Sequence, residues 1–304
     1  MYNMREDRSV MTVVPSSPPQ RVLLATDLGP RCDRALDRAA ALADQWGAEL
    51  IAVHALEEND VPAIAEAEQD LPSWRRGPRP LELAQAALNR ALEGVSRPVT
   101  TVVEEGEASE VILAAAQRKA CDVIVIAVAR DEPLGRFFIG STVDRVLRNA
   151  RVPVLVVRQR PRHAYGSIVV GVDLSPASRV ALGVAGTFFP GVGYRVLHAY
   201  EPPLGGMLTD PTDYRDAYGK VVTNDVFAFL KEAGATGPQL LDVLVERGTP
   251  AQLIQQYVSA FSADLVVLGT QGKSPLLELL VGSTAKSVLD GLSCDALVVP
   301  AAEG

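Results

Sequence analysis

The 304-residue chain is poor in cysteine, holding only Cys32, Cys121 and Cys294. An odd count with no C-x-x-C pair and no metal-ligand spacing excludes a disulfide framework and a zinc site. It fits a reducing, cytosolic setting in which the thiols serve as small buried apolar groups. Long apolar runs are missing too: "VIVIAVA" at 123–129 is one of the longest and far too short to span a bilayer. Residues 1–20 lack the continuous apolar core of a secretory signal, and 1–19 read as a flexible tail. There is no basic excess. The net charge is −8 with no dense Lys/Arg run, which argues against wrapping nucleic acid through its phosphates. The hydrolase and dinucleotide signatures G-x-S-x-G, H-E-x-x-H and G-x-G-x-x-G do not occur.

What is present is ample core material, with 48% apolar and 22% charged residues, in a length that suits two domains of about 150 residues each. The chain repeats itself. "RVLLATDLGP" at 21–30 matches "SIVVGVDLSP" at 167–176, "AELIAVHAL" at 48–56 matches "GYRVLHAYE" at 193–201, and "EEGEASEVI" at 104–112 matches "ERGTPAQLI" at 246–254. "CDVIVIA" at 121–127 answers "ADLVVLG" at 263–269, and "RVPVLVV" at 151–157 answers "CDALVVP" at 294–300. The offset is 146 residues at Asp27/Asp173, 144 at His54/His198, and a constant 142 from Gly106/Gly248 through Gly140/Gly282. Such constancy marks a tandem duplication.

Each copy alternates short β-branched runs with Ala/Leu-rich stretches of helical period. In 31–47, Ala35, Leu36, Ala39, Ala40, Leu42 and Ala43 form an apolar stripe. Ser175-Pro176 reads as an N-cap and first-turn pair, with Gly29-Pro30 as its weaker counterpart. Nearly continuous apolar strands indicate burial on both faces, hence a parallel sheet covered by helices. Five strands per copy, each but the last followed by a helical segment, predict two doubly wound α/β domains, at 20–157 and 167–304, joined by a linker at 158–166.

In such a sheet ligands sit beyond the carboxyl ends of the strands, where strand order reverses. In the second copy two segments should meet there: Val172-Asp173 and the loop Gly269-x2-Gly272-x9-Gly282-Ser283-Thr284. Glycines let backbone N–H groups approach a phosphate and tolerate positive φ. Gly282-Ser283-Thr284 opens a helix whose first N–H groups are unpaired and whose dipole favours an anion by about 0.3–2 kcal/mol. The first copy keeps Gly140, Ser141 and Thr142 but carries Ala127 and Arg130 at the first two glycine positions. Ala127 would resist a positive φ, and Arg130 sets a long side chain where backbone should approach phosphate, unless it and Arg136 supply cations instead. "GKS" at 272–274 ends like a P-loop, but Val267 stands where that motif needs its first glycine. Lys273 could reach a phosphate or simply be solvated. Asp173 could accept from a ribose hydroxyl or an adenine amine, or be a carboxylate stabilised by a helix dipole. His54 and His198 have no second ligand at metal spacing, and a structural role at strand ends is expected of them.

Taken together, "SIVVGVDLSP", "LHAY", "ERGTPAQLI", "LGTQGKSPLLELLVGST" and "CDALVVP" resemble the universal stress protein family in its tandem two-domain form, over residues 20–157 and 167–300. The Gly-x2-Gly-x9-Gly-[Ser/Thr] element resembles the ATP-binding branch. The resemblance implies two five-stranded domains of the adenine-nucleotide alpha-hydrolase-like class and a regulatory or sensor role in the stress response. It implies ATP, ADP or AMP as ligand, with or without magnesium. Val172, Asp173 and Ala199 would then meet the adenosine end, and Gly269, Gly272, Gly282, Ser283 and Thr284 would hold ribose and phosphates. A weaker or vacant first site would involve Asp27, Ala55, Arg130, Gly140, Ser141 and Thr142. Pairing through the last strands is also implied, either between the tandem halves or between chains of a homo-oligomer. No residue stands out as a general base, so any ATP hydrolysis should be slow and the chain is not expected to act mainly as an enzyme. The competing expectation is a nucleotide-independent scaffold of the same fold that binds protein partners. An adenylyl-transferring enzyme is the least supported, because no His-x-Gly-His or Ser-Gly-Gly signature is present.

Overall fold

The computed structural model describes residues 14–29, 32–57, 79–131, 136–203, 211–270 and 283–301. The first half runs β1 (Arg21–Ala25), α1 (Asp33–Trp46), β2 (Glu49–Leu56), α2 (Pro80–Ala91), β3 (Val99–Glu105), α3 (Ala108–Arg118) and β4 (Val123–Ala127). It continues with β5 (Ala129–Asp131), β6 (Arg136–Phe138), α4 (Ser141–Asn149) and β7 (Val154–Val157). The second half runs β8 (Ile168–Val172), α5 (Pro176–Phe188), β9 (Tyr194–Tyr200), α6 (Pro211–Glu232), β10 (Leu240–Arg247), α7 (Pro250–Phe261), β11 (Leu265–Gly269), α8 (Ser283–Gly291) and β12 (Asp295–Val299). Each half contributes the expected five strands to the main sheet. The first adds an antiparallel ribbon, β5 with β6, registered Ala129 to Phe138.

All ten main strands form one sheet in the order β10-β9-β8-β11-β12-β7-β4-β1-β2-β3. Within each half every pairing of this sheet is parallel, and the halves join through β12 and β7, which pair antiparallel with Leu297 opposite Leu155. The last strands therefore already have partners on both sides, so pairing between the tandem halves is the observed mode. Strand order reverses between β1 and β4 in the first half and between β8 and β11 in the second. Because β7 and β12 run in opposite directions, the carboxyl edges of the two halves lie on opposite sides of the shared sheet.

Alternation along the strands splits the core into two layers. Leu155 and Leu297 face the layer beneath α1, α2, α5 and α6, whereas Val154, Val156, Ala296 and Val298 face the layer beneath α3, α4, α7 and α8. Both layers run across the join without a break. In α1 the predicted stripe is inward, with Ala35, Ala39, Leu42 and Ala43 buried. At its C-terminal end Trp46 donates its indole N–H to the Phe188 carbonyl at 2.7 Å and meets the rings of Phe188 and Phe189 in the other half.

The duplication reaches the level of single backbone angles. Leu28 and Leu174 are left-handed at φ 60° and 63°, Ala120 and Ser262 at 47° and 50°, and Gly106 and Gly248 stand at 145° and 146°. Helix starts are less alike. Ser175 caps α5 as expected, accepting from the Ser178 N–H at 3.2 Å, with Pro176 at the first helical position. Pro30 lies outside the described residues; the Cys32 N–H donates to the Gly29 carbonyl at 2.9 Å, and Cys32 is the N-cap of α1 without a side-chain cap bond.

The segment at 158–166 is tied down at both ends. Asp295, at the start of β12, accepts from the Arg158 and Gln159 N–H groups at 2.7 and 3.2 Å and from the Tyr165 hydroxyl at 2.7 Å. Arg38 of α1 lies 3.4 Å from the same carboxylate and stacks 4.0 Å above the Tyr165 ring. Arg158, Asp295, Tyr165 and Arg38 are all buried. The buried Asp295 carboxylate thus gathers two backbone N–H groups, a phenol hydroxyl and a nearby guanidinium, which offset the cost of its burial.

Candidate functional site

At the carboxyl edge of the second half, β8 ends on Val172, β9 on Tyr200 and β11 on Gly269. Val172 is in register with His198, and Val170 with Val267. The ends of these three neighbouring strands therefore bring Val172, Asp173, Ala199 and Gly269 to one place, as expected. The turn after β8 is set by Leu174, whose left-handed conformation is uncommon for a residue with a branched side chain. It folds the chain back so that Asp173 Oδ1 accepts from the Ser175 N–H at 3.0 Å. The carboxylate is held at the lip of the sheet beside the start of α5.

His198 is buried, and its Nδ1 lies 2.8 Å from the Val172 carbonyl. His54 makes the same contact in the first half, 2.9 Å from the Thr26 carbonyl. The paired histidines thus fasten the end of one strand to its neighbour, the structural role expected of them. Among the described residues no group of three or more His, Cys, Asp and Glu side chains could hold a metal ion.

Gly269 needs a different explanation from the one its sequence context suggests. It is the last residue of β11 and its φ is not positive. A Cβ placed there would stand 2.9 Å from the carbonyl carbon and Cβ of Ala177 in the first turn of α5. The missing side chain lets α5 close onto the strand end, which brings the start of α5 and the Asp173 turn up against β11. Ala127, its counterpart, is an ordinary strand residue of β4, so resistance to positive φ is not what distinguishes the first copy.

Gly272, Lys273 and Gly282 lie outside the described residues. Ser283 and Thr284 are the first residues of α8. This helix leads from the carboxyl end of β11 to the amino end of β12, so its N-terminus, with its unpaired N–H groups, faces the same edge as Asp173. Ala285, Val288 and Leu289 anchor its inner face in the core.

The first copy arranges the same elements with altered chemistry. Asp27 follows β1, Ala55 lies in β2, and Gly140 is the N-cap of α4, which opens with Ser141 and Thr142. A Cβ on Gly140 would meet nothing within 4 Å, so packing does not require that glycine. Asp27 Oδ1 accepts from the Gly29 N–H at 2.8 Å and from the Cys32 thiol at 2.9 Å. Ser178 stands at the position equivalent to Cys32 and turns instead to Ser175, its hydroxyl donating to the Ser175 carbonyl at 3.0 Å. Arg130 belongs to β5, so the residues after β4 continue into a paired ribbon.

Sequence reasoning overlooked that ribbon, the duplicated left-handed leucines and the role of Cys32. A recurring Asp-Leu-[Gly/Ser]-Pro in both copies was the available signal for the leucines. All three cysteines are buried and free, as expected. Burial pushes the thiols of Cys32 and Cys121 up to about 11 and that of Cys294 up to about 12, far from the thiolate range of reactive cysteines.

The model of the universal stress protein family matches residues 19–158 and 164–300. The chain belongs to that family. A universal stress protein of Mycolicibacterium smegmatis is 26% identical over 318 residues, spanning 94% of this chain and 99% of that one. Another, from Thermus aquaticus, is 35% identical over 137 residues, which is 44% of this chain but 98% of the relative. A single-copy relative thus aligns with one half, in keeping with the tandem organisation. Among solved structures, a universal stress protein from Archaeoglobus fulgidus superposes with a TM-score of 0.67 at 18% identity, covering 92% of this chain and 98% of that one. A protein of unknown function from Pseudomonas aeruginosa PAO1 gives 0.65 at 20% identity, with 93% of each chain covered. These likenesses establish the two-domain α/β fold. No helix among the described residues is long and apolar enough to cross a membrane.

Proposed function

We propose that this universal stress protein binds an adenine nucleotide, ATP foremost with ADP or AMP as alternatives, mainly in its second half, and serves as a regulator or sensor in the stress response. The halves are taken as domains at 20–157 and 167–304 with a boundary at 158–166 and a tail at 1–19. The observation that carries the reading is convergence: the Asp173 turn, Ala199 at the end of β9, Gly269 and the N-terminus of α8 meet at the point where strand order reverses. Asp173 would accept from ribose or adenine, with Val172 and Ala199 against the base. Gly272, Gly282, Ser283 and Thr284 would offer backbone and hydroxyl donors to the phosphates, which would carry any magnesium with them. In the first half, Asp27 already accepts from Gly29 and Cys32, and Arg130 is committed to a strand, so a weak or vacant site is proposed there. No general base is assigned, and turnover of ATP is expected to be slow.

Mass spectrometry of small molecules released from the purified, denatured protein should find about one adenine nucleotide per chain. Added ligand at about 100 times Kd should stabilise the fold by about 2.7 kcal/mol, and Gly282→Leu should abolish that shift. A melting curve unmoved by millimolar ATP, ADP and AMP overturns the reading.

One observation favours a nucleotide-independent scaffold instead. Leu81 and Leu83 on α2 and Leu241 on β10 are exposed near the two outer ends of the sheet, where a protein partner could dock. That reading predicts partner binding that survives Gly282→Leu, with no nucleotide in the purified protein.

A further inference from the structure

The helix that would receive the phosphates has its other end in the territory of the first half. α8 has nine residues, which is about 13 Å of helix. Its N-terminus faces the carboxyl edge of the second half. Its last turn reaches the opposite edge, which is the carboxyl edge of the first half, because β7 and β12 are antiparallel. There Arg158, the residue after β7, is buried and donates from Nη2 to the Leu289 carbonyl at 2.7 Å. Burial pulls its guanidinium down only to about 10, so it stays charged at neutral pH and complements the negative end of the helix.

The connection continues into the carboxyl edge of the first half. Arg34, in the first turn of α1 a few residues beyond Asp27, donates from Nη1 to the Arg158 carbonyl at 3.0 Å and from Nη2 to the Val128 carbonyl at 2.7 Å. Val128 links β4 to the ribbon, and β6 of that ribbon lies against α8. The planar fork of an arginine suits such a bridge between two carbonyls, whereas lysine offers a single point of attachment. The duplication supplies the contrast. By strand register the position matching Arg158 in the second half is Pro300, and that matching Arg34 is Val180; neither can donate from its side chain. The pair of arginines exists at one edge only, and it is the edge whose loop carries Ala127 and Arg130 in place of the first two glycines.

We infer that Arg34 and Arg158 are positioning residues for the second-half site: the first half clamps the last turn of α8 and so sets where its first turn meets the phosphates. This rests on the nucleotide reading above. A helix of two and a half turns moves as one rigid piece, so release at one end displaces the other. In this role the first half keeps its fold and its ribbon while having no need of a second nucleotide.

The test uses the full chain as wild type, Arg34→Met, Arg34→Lys and Asp173→Ala, with ATP titrated calorimetrically and hydrogen exchange followed at 283–291. Arg34 is half-buried, so its variants are the safer test, whereas Arg158→Met would disturb a buried cluster. Arg34→Met should keep a single ATP per chain, weaken it about tenfold, and speed exchange in the last turn of α8 about tenfold without ligand. Arg34→Lys should fall between the two. Asp173→Ala should weaken ATP while leaving α8 exchange in the free protein unchanged. A folded Arg34→Met with wild-type affinity and wild-type α8 exchange overturns the relay alone. A wild type that binds no ATP overturns the relay together with the nucleotide reading.

Discussion

The two halves place left-handed residues at matching positions, and both fasten a strand end with a histidine, yet they diverge where the fourth strand finishes. In the second half β11 ends on Gly269, held bare by the approach of Ala177, and the chain goes on to a glycine-rich stretch before α8. In the first, β4 ends on Ala127 and runs into a paired ribbon that rests on the other half's helix. The contrast shows how a duplicated domain can keep its frame while the stretch after its fourth strand changes. Strands and left-handed turns persist because they carry the core, whereas the helix caps differ. The stretch after the fourth strand of the first half instead makes contact with the other half.

The largest expected effect concerns the join itself. Asp295→Ala should cost about 3–5 kcal/mol in urea unfolding, because Arg38, Arg158 and Tyr165 would lose a shared buried partner. The matching position in the first half is Pro153, which has no carboxylate to lose. A loss below about 1 kcal/mol would show that the cluster does not hold the halves together. Next, Gly269→Ala should cost about 1–3 kcal/mol by forcing α5 away from β11. The reverse exchange, Ala127→Gly, should cost about 1 kcal/mol, from backbone entropy and the loss of a half-buried methyl. Equal costs would erase the distinction between the two strand ends.

A smaller effect should appear with pH. Glu107 caps α3 through the Ser109 and Glu110 N–H groups, and these bonds, the one with the Ser109 side chain first, hold its carboxyl below its ordinary value. Its counterpart Thr249 caps α7 without a side-chain bond. A carboxyl with a lowered folded value stabilises the protein above its unfolded value, and that contribution is lost as pH falls through the folded one. Denaturant unfolding should therefore show the wild type losing more stability between pH 5 and pH 3 than Glu107→Gln does. Identical profiles would mean that the cap carries no linkage. The smallest effect should be the same in both halves. Ala120→Gly and Ser262→Gly, at exposed left-handed positions, should each raise stability by about 0.5 kcal/mol, relief of strain outweighing the added entropy of the unfolded chain. Unequal gains would break the backbone equivalence of the copies.

Most of the frame was legible in the sequence. Periodicity located the strands and α1, Ser175-Pro176 marked the start of α5, and the constant offset exposed the duplication, because these signals live within a few residues of one another. The reason for Gly269 was not legible: the atoms that forbid a side chain there belong to Ala177, ninety-two positions earlier. Nor was Cys32 as the N-cap of α1, since it makes no side-chain cap bond and its residue type gives no capping signal. The candidate site was half legible, with its strand-end residues found and brought together and its glycine loop named by pattern alone.

By itself the sequence determined two α/β halves, their element order and the unequal wear of their loops, all of which follow from local patterning and an internal comparison. Only the tertiary structure decided that the halves share one ten-stranded sheet with their edges facing opposite ways, and that Arg34 and Arg158 reach across to α8. Which edge meets which, and which arginine finds which carbonyl, depend on groups more than ninety positions apart. Residue type records that such a partner is needed but not where in the chain it lies.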